Sequence, residues 1–340
     1  MTPVKDAYAQ EPLPVPKNQS RGFALRGKGY RVKLQDAAYL LYLRFFSAVE
    51  RIVGPAVVPL FIYPLIRLDI FLRKRDYPQF VRLRNVLPQQ FWRGVSSWDH
   101  YYGMIRNWHE MGAAVLAYPQ WRSPGWHGRI QIKGTPPHAL AEWGKRPVIL
   151  TFLHTGSFAL VHFWMRSQGV VAVSHIAGLP PMLENEHHLN MMAAGDRAYG
   201  LDGVPNVFRR WTGLREAIRF LVPGHALTMA LDGGLRSEQF RRYDAGGFPI
   251  LVRNGACRMA AQTNAIIMPV SARRTGCCRF ELFFGKPVAD ELLLKEDFFA
   301  ATQHLITELW QELKEHPADL NWTTLEALAP ELVVDRISWP

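Results

Sequence analysis

The period of the apolar positions changes about a third of the way along the chain. From Arg129 onward short apolar runs alternate with helix-period stretches. RIQIK (Arg129 to Lys133) alternates and stops at Gly134, and the helix-like Pro136 to Trp143 is followed by PVILTFL, an unbroken apolar run of the kind a strand buried on both faces requires. Further β-type runs are VVAVSHI (Val170 to Ile176), ALTMAL (Ala226 to Leu231), AIIMPVSA (Ala265 to Ala272) and RFELFFG (Arg279 to Gly285). Helix-period segments lie between them at Ala159 to Arg166, Thr212 to Leu221 and Ile250 to Gln262, and Glu296 to Glu315 predicts a last amphipathic helix. Strands alternating with helices predict an α/β fold with a central, largely parallel sheet and crossover helices.

Ahead of that region the pattern is helical. Asp36 to Glu50 and about Trp98 to Leu116 predict helices, and the aromatics Trp92, Trp98, Tyr101, Tyr102 and Trp108 between and within them predict core. Ile52 to Ile66 is free of charge but interrupted by Pro55, Pro59 and Pro64. It is too short and too broken to span a bilayer, which takes about 20 apolar residues. With Phe61 and Tyr63 in it, Phe71 just beyond, and Arg67, Arg73, Lys74 and Arg75 close behind, it suits either a packed helix or a surface that dips into a membrane interface. The proline-rich start, Met1 to about Ser20, has no apolar run and reads as a loose tail rather than a signal peptide. The expected organisation is a tail over 1–32, a helical extension over 33–128 and an α/β domain over 129–340.

Composition narrows the partners. The 340 residues are 48% hydrophobic with a formal net charge of +11, which excludes a disordered chain and points to a polyanionic partner. Nucleic acid is set aside because no recognition motif is present and the basic residues are scattered. Three cysteines, two of them adjacent as Cys277 and Cys278, imply neither a disulfide framework nor a metal-ligand spacing, so a reducing compartment and no metal are expected. His187 and His188 in ENEHHLN have ligand chemistry without a helical i, i+4 pair and read as a surface loop.

In a sheet of this kind chemistry gathers at the carboxyl ends of the strands. His154-Thr155-Gly156-Ser157-Phe158 follows PVILTFL directly. An imidazole there can serve as a general base toward a hydroxyl or amine, with the amides of the following turn as oxyanion donors. Arginines 209, 210, 215, 236, 241 and 242 crowd the later loops and suit phosphate or carboxylate, while Asp244 to Phe248 reads as a flexible loop able to cover a pocket.

Arg129 to Val161 resembles the entry to the catalytic core of the lysophospholipid acyltransferase superfamily, in particular its bacterial lipid A lauroyl/myristoyl acyltransferase branch. Gly203 to Arg210 is similar to that family's second block, with Arg210 in the position of its arginine. Leu231 to Ser237 resembles the third, where Gly234, Arg236 and Ser237 match and Gly233 stands where the family usually has Glu. Ala265 to Val270 resembles the fourth, a hydrophobic strand broken by Pro. Together the blocks cover roughly Arg129 to Val288. The resemblance implies a glycerolipid-acyltransferase-like fold and acyl transfer from a thioester, on acyl carrier protein or coenzyme A, to a hydroxyl or amine of a lipid or secondary-metabolite intermediate. The thioester is a co-substrate, and no cofactor is expected. Substrate contacts are expected from Gly156, Arg210, Gly234 and Arg236.

One departure matters. The family's His is followed by four residues and then a carboxylate, and here that position is Ala159. Asp232, which also follows a β-run, is the best substitute; Ser157 as the imidazole's neighbour, or an amine acceptor that asks less of the base, are the alternatives. The candidate catalytic set is therefore His154, Ser157 and Asp232. A catalytically silent carrier- or lipid-binding protein of the same fold is the competing reading. A cytoplasmic protein, peripheral on the inner face of the cell membrane, fits an anionic surface as a second partner.

Overall fold

The structure, a computed structural model, describes residues 58–126, 128–176, 186–201, 213–232, 240–294 and 297–332, with short islands at 45, 48–49, 52, 54–55, 204 and 207–209. The proline-rich tail lies outside the described residues, as does the helix expected over Asp36 to Glu50 apart from Phe45, Ala48 and Val49, which are helical. Residues 43–340 form one compact unit.

Its centre is a seven-stranded sheet. The strands are β1 (Ile130–Gly134), β2 (Val148–Phe152), β3 (Val171–Ile176), β4 (Val207–Arg209), β5 (His225–Ala230), β8 (Ile266–Gly276) and β9 (Arg279–Phe284), in the order β1-β9-β8-β2-β5-β3-β4. All neighbours pair in parallel except the β8–β9 hairpin. Every residue of β2 is buried, as its unbroken apolar run requires. Pro269 interrupts β8 where its pairing with β2 ends, and from Val270 onward the strand pairs with β9, so the missing N–H falls at a change of partner.

The expected stretch Ile250 to Gln262 is not one helix. Its first residues belong to β7 (Pro249–Arg253), which pairs antiparallel with β6 (Phe240–Asp244), and only Gly255–Thr263 is helical. Leu251 is half-exposed between buried Ile250 and Val252, and the alternating burial of β7 is the period of a strand. Asp244 to Phe248 is the hairpin's turn. Ala245 N–H donates to the Phe248 carbonyl (2.7 Å) and Gly247 N–H to Asp244 Oδ1 (2.6 Å), and a Cβ on Gly246 would fall 2.7 Å from Trp310 Nε1. Gln303 also bonds the backbone N–H and carbonyl of Asp244, so the turn is pinned to the helix over Phe299–Glu315. Pro136 to Trp143 is likewise no helix beyond the single 3-10 turn Pro137–Ala139.

The helices in chain order are α1 (Val58–Arg73), α2 (Tyr77–Arg84), α3 (Ser97–Leu116), α4 (Ala159–Ser167), α5 (Glu186–Ala198), α6 (Gly213–Phe220), α7 (Gly255–Thr263), α8 (Asp290–Leu293), α9 (Phe299–Glu315) and α10 (Trp322–Leu328). His187 and His188 therefore sit on a helix. Ser96 caps α3 by accepting from Asp99 N–H at 3.0 Å, and α3 lies between α1 and α4. The aromatics of this region divide: Trp92 and Tyr101 are core, whereas Trp98 and Trp108 are exposed. α1 runs through Pro59 and Pro64 without a break. Pro59 falls in the first turn, where no N–H partner is lost, and Pro64 lies on the outer face beside exposed Leu60, whose freed carbonyl can turn to water. Ile62, Ile66 and Ile70 bury the inner face, each worth about 1.5–3 kcal/mol.

Arg166, fully buried in α4, pairs with Asp196 of α5 at 2.8 Å, and Tyr118 Oη donates to the same carboxylate at 3.1 Å. A second Arg166 nitrogen reaches the Val204 carbonyl at 3.3 Å, so this one side chain ties α4 to α5 and to the segment leading into β4.

Candidate active site

The register of the sheet builds the site. β2 and β5 lie side by side in parallel, with Phe152 opposite Ala230 as their last pair. Two residues past that pair come His154 on one strand and Asp232 on the other, so both emerge at the same point of the carboxyl edge. Leu231 N–H, donating to the Phe152 carbonyl at 2.9 Å, carries the pairing one residue further. His154 Nδ1 lies 2.7 Å from Asp232 Oδ1. The side chain of Asp232 is fully buried and that of His154 is 25% exposed.

An ionised carboxylate only accepts, so the proton between them sits on Nδ1 and the lone pair on Nε2. Nε2 has no hydrogen-bond partner among the described residues. Phe158 packs edge-on against the imidazole with centroids 4.8 Å apart and stacks on Phe152 at 5.2 Å, giving the ring an apolar wall. Asp232 is held on all sides. His154 N–H reaches Oδ1 at 3.1 Å and Oδ2 at 3.0 Å, and Thr324 Oγ1 lies 2.6 Å from Oδ2. The same hydroxyl is 2.8 Å from the His154 carbonyl, and its single proton can serve one of the two at a time. His154, Asp232 and Thr324 thus form one hydrogen-bonded chain from the surface to a buried anchor.

Thr324 is the member that sequence reasoning missed. It comes from α10, a helix the sequence reading overlooked although it carries a legible start: Asn321 caps it by accepting from Thr324 N–H at 3.3 Å, and Trp322, Leu325 and Leu328 repeat at helical spacing. The segment before α10 straps the 154–157 turn. Gly156 N–H donates to the Asp319 carbonyl at 2.7 Å, Thr155 bridges Leu320, and buried His100 donates from Nε2 to the Leu320 carbonyl at 2.6 Å. Burial pulls the His100 pKa down to about 4, and its Nδ1 has no partner among the described residues, so the ring is neutral. Thr155 also lines a shallow hollow with Arg273, His316 and Asp319, where removal from water lifts the Asp319 carboxyl to about 7.

Ser157 and Gly156 take roles other than those expected. Ser157 Oγ donates to Asn107 Oδ1 of α3 at 2.6 Å and is fully buried, so it clasps the turn to α3 and is not the imidazole's neighbour. Gly156 adopts φ +49°, and a Cβ there would fall 2.1 Å from the Ala272 carbonyl oxygen; the glycine lets the turn press against β8. The turn's amides are also spent. His154 N–H serves Asp232, Thr155 N–H the Leu153 carbonyl (2.7 Å), Gly156 N–H Asp319, and Ser157 N–H the Ala272 carbonyl (2.6 Å). They cannot be the oxyanion donors expected of them. Arg210, Gly234 and Arg236 lie outside the described residues, as do Gly203 and Gly233 to Ser237 of the second and third blocks. Arg215, Arg241 and Arg242 are exposed and solvated. Among the described residues no helix is long and apolar enough to cross a membrane.

No family profile and no curated protein matches the sequence. Among solved structures the chain is similar to the 1-acyl-sn-glycerophosphate (LPA) acyltransferase PlsC from Thermotoga maritima, at 14% identity and a TM-score of 0.38, over 83% of this chain and 97% of that one.

Proposed function

We propose that this protein is an acyltransferase that moves an acyl group from a thioester, on acyl carrier protein or coenzyme A, to a hydroxyl or amine acceptor, lipid or secondary-metabolite intermediate, with His154 as general base. The observation that carries the reading is the His154–Asp232–Thr324 chain at the carboxyl edge of the sheet, with the His154 side chain 25% exposed. It supplies the carboxylate whose usual place is taken by Ala159, and it makes the resemblance of the sequence blocks to the lipid A acyltransferase branch chemically coherent.

The step balances as follows. Nε2 takes the acceptor's proton as its oxygen or nitrogen attacks the thioester carbonyl, and Asp232 stabilises the resulting imidazolium without itself being protonated. The tetrahedral intermediate collapses by breaking the carbon–sulfur bond, and the leaving thiolate takes the proton back from Nε2. With the turn's own amides occupied, the oxyanion falls to the amides of Phe158 and Ala159 at the start of α4, where the helix dipole favours negative charge. Gly234 and Arg236 follow Asp232 by two and four residues in the sequence, and with Arg210 they are proposed to meet the anionic part of acceptor or donor.

The charge of +11 favours an acidic carrier as donor through a faster encounter. α1 supports contact with an anionic membrane surface from the cytoplasmic side: its outer face exposes Leu60, Leu68, Phe71 and Leu72 beside Arg67, Lys74 and Arg75. A test of the chemistry is incubation with acyl carrier protein loaded with a lauroyl or myristoyl thioester and a panel of lipid and amine acceptors, read by mass spectrometry. Acyl product that depends on His154 supports the proposal. An intact thioester throughout, with carrier bound, would leave the silent binding protein instead.

A further inference from the structure

The tip of the β8–β9 hairpin gathers groups that the proposed acyl transfer does not use. Gly276 pairs with Arg279, leaving Cys277 and Cys278 as the two residues of the turn, with Cys278 in the left-handed region at φ +46°. Cys278 is fully buried and Cys277 half-buried. Glu110, two turns from the end of α3 and 1% exposed, faces both, and its Oε2 accepts from Cys278 N–H at 2.9 Å. The two thiol sulfurs and a Glu110 carboxylate oxygen all lie within 4.8 Å of one another.

We infer that Cys277, Cys278 and Glu110 form a binding site for a soft or borderline divalent cation of the Zn2+ type. Metal–sulfur bonds of about 2.3 Å and metal–oxygen bonds of about 2.0 Å at tetrahedral angles put donor atoms roughly 3.5–3.8 Å apart, within the spread of these three. Thiolate pairs with a carboxylate select such a cation over Mg2+ or Ca2+, which take oxygen ligands. Two protein sulfurs and one oxygen leave a fourth position, and water reaches it from the half-buried Cys277 side.

The surrounding charge fits. Arg106 already balances Glu110 at 2.6 Å, with Arg274 at 4.0 Å from the same oxygen. On binding, two S–H bonds break, two metal–sulfur bonds form and two protons pass to solvent, so the cation's two charges replace those of the protons and the balance with the arginines is unchanged. The backbone carbonyl of Cys277 accepts from Arg129 at 3.3 Å, and Arg106 also donates to Tyr63 Oη of α1 at 2.8 Å. A bound cation would therefore tie the hairpin tip to α3 and, through Arg106, to α1. The spacing of cysteines alone hides this site, because its third donor lies 167 residues before the first thiol.

Titration of the reduced full-length protein with Co2+ tests the inference independently of any acyl transfer. The expected result is a thiolate-to-cobalt charge-transfer band that saturates at one equivalent, bleaches on adding Zn2+, and is accompanied by proton release. Cys277→Ser, a change at a half-buried turn position, should abolish the band, and Cys257→Ala, which removes the remote buried thiol, should retain it. Glu110→Gln should weaken binding about tenfold or more. No band in the folded wild type, or a band that survives in Cys277→Ser, overturns the site while leaving the transferase reading untouched.

Discussion

An imidazole takes a proton at Nε2 only while Nδ1 keeps its own, and here that condition rests on Asp232. Asp232→Asn preserves shape but removes the charge and offers the ring the wrong tautomer, so transfer should fall by about 10²-fold or more with the fold retained. Thr324→Val leaves the carboxylate in place with one bond fewer; a loss of about tenfold in rate and roughly 1–3 kcal/mol in stability is expected. Measuring turnover and melting temperature on both variants separates orientation from folding, and an unchanged rate in Asp232→Asn would remove the dyad. Ala159→Glu provides the converse check. Nδ1 already has its acceptor at 2.7 Å, so a second carboxylate should bring no gain in rate. A faster variant would mean that Asp232 is an inadequate substitute.

At the scale of elements, the contact of buried His100 with the strap before α10 makes stability depend on pH. His100 is neutral in the folded protein down to about pH 4, whereas the unfolded chain protonates near the ordinary value of 6.5. Over that window the unfolded state holds the extra proton, so the His100 contribution to stability falls as pH drops, by about 3 kcal/mol across the whole interval, while Asp319, whose carboxyl is raised to about 7, contributes with the opposite sign. Between pH 7 and pH 5 the wild type should lose about 2 kcal/mol more in urea unfolding than a variant without this imidazole. His100→Gln, which keeps a donor for Leu320, is that variant; an equal loss would clear His100 of the effect. The sheet itself was legible in the sequence because PVILTFL and ALTMAL are short apolar runs of the kind buried parallel strands make, set between helix-period stretches, and the expectation that both end on one sheet edge made Asp232 the best candidate. The hairpin β6–β7 was not, because Ile250 to Arg253 joined to the following helix mimics helical spacing. Thr324 was not either: its partners are 92 and 170 residues away, and nothing local in Trp322 to Leu328 marks a threonine as an anchor for a carboxylate. The spent amides of the turn were equally invisible, since the acceptors for His154, Gly156 and Ser157 lie far along the chain, in Asp232, the strap and β8.

For the molecule as a whole, one buried ion pair and one exposed face set the larger-scale expectations. Arg166→Ala would remove the buried guanidinium that pairs with Asp196 and bonds the Val204 carbonyl, and should cost about 3–5 kcal/mol, read as a lower urea midpoint. A midpoint within error of the wild type would mean that the α4–α5 tie carries no weight. On α1, replacing Leu68, Phe71 and Leu72 by serine changes only exposed positions, so stability should hold while flotation with anionic vesicles at low salt is lost. Flotation equal to that of the wild type would remove the membrane-facing role of this helix. The central claim is that His154, oriented by Asp232, transfers an acyl group from a carrier thioester. Its most direct test is single-turnover transfer from myristoyl-loaded acyl carrier protein by the wild type and by His154→Ala, each verified as folded. The account predicts acyl product from the wild type and a rate lower by about 10²-fold or more in the variant; equal rates from the two proteins would contradict it.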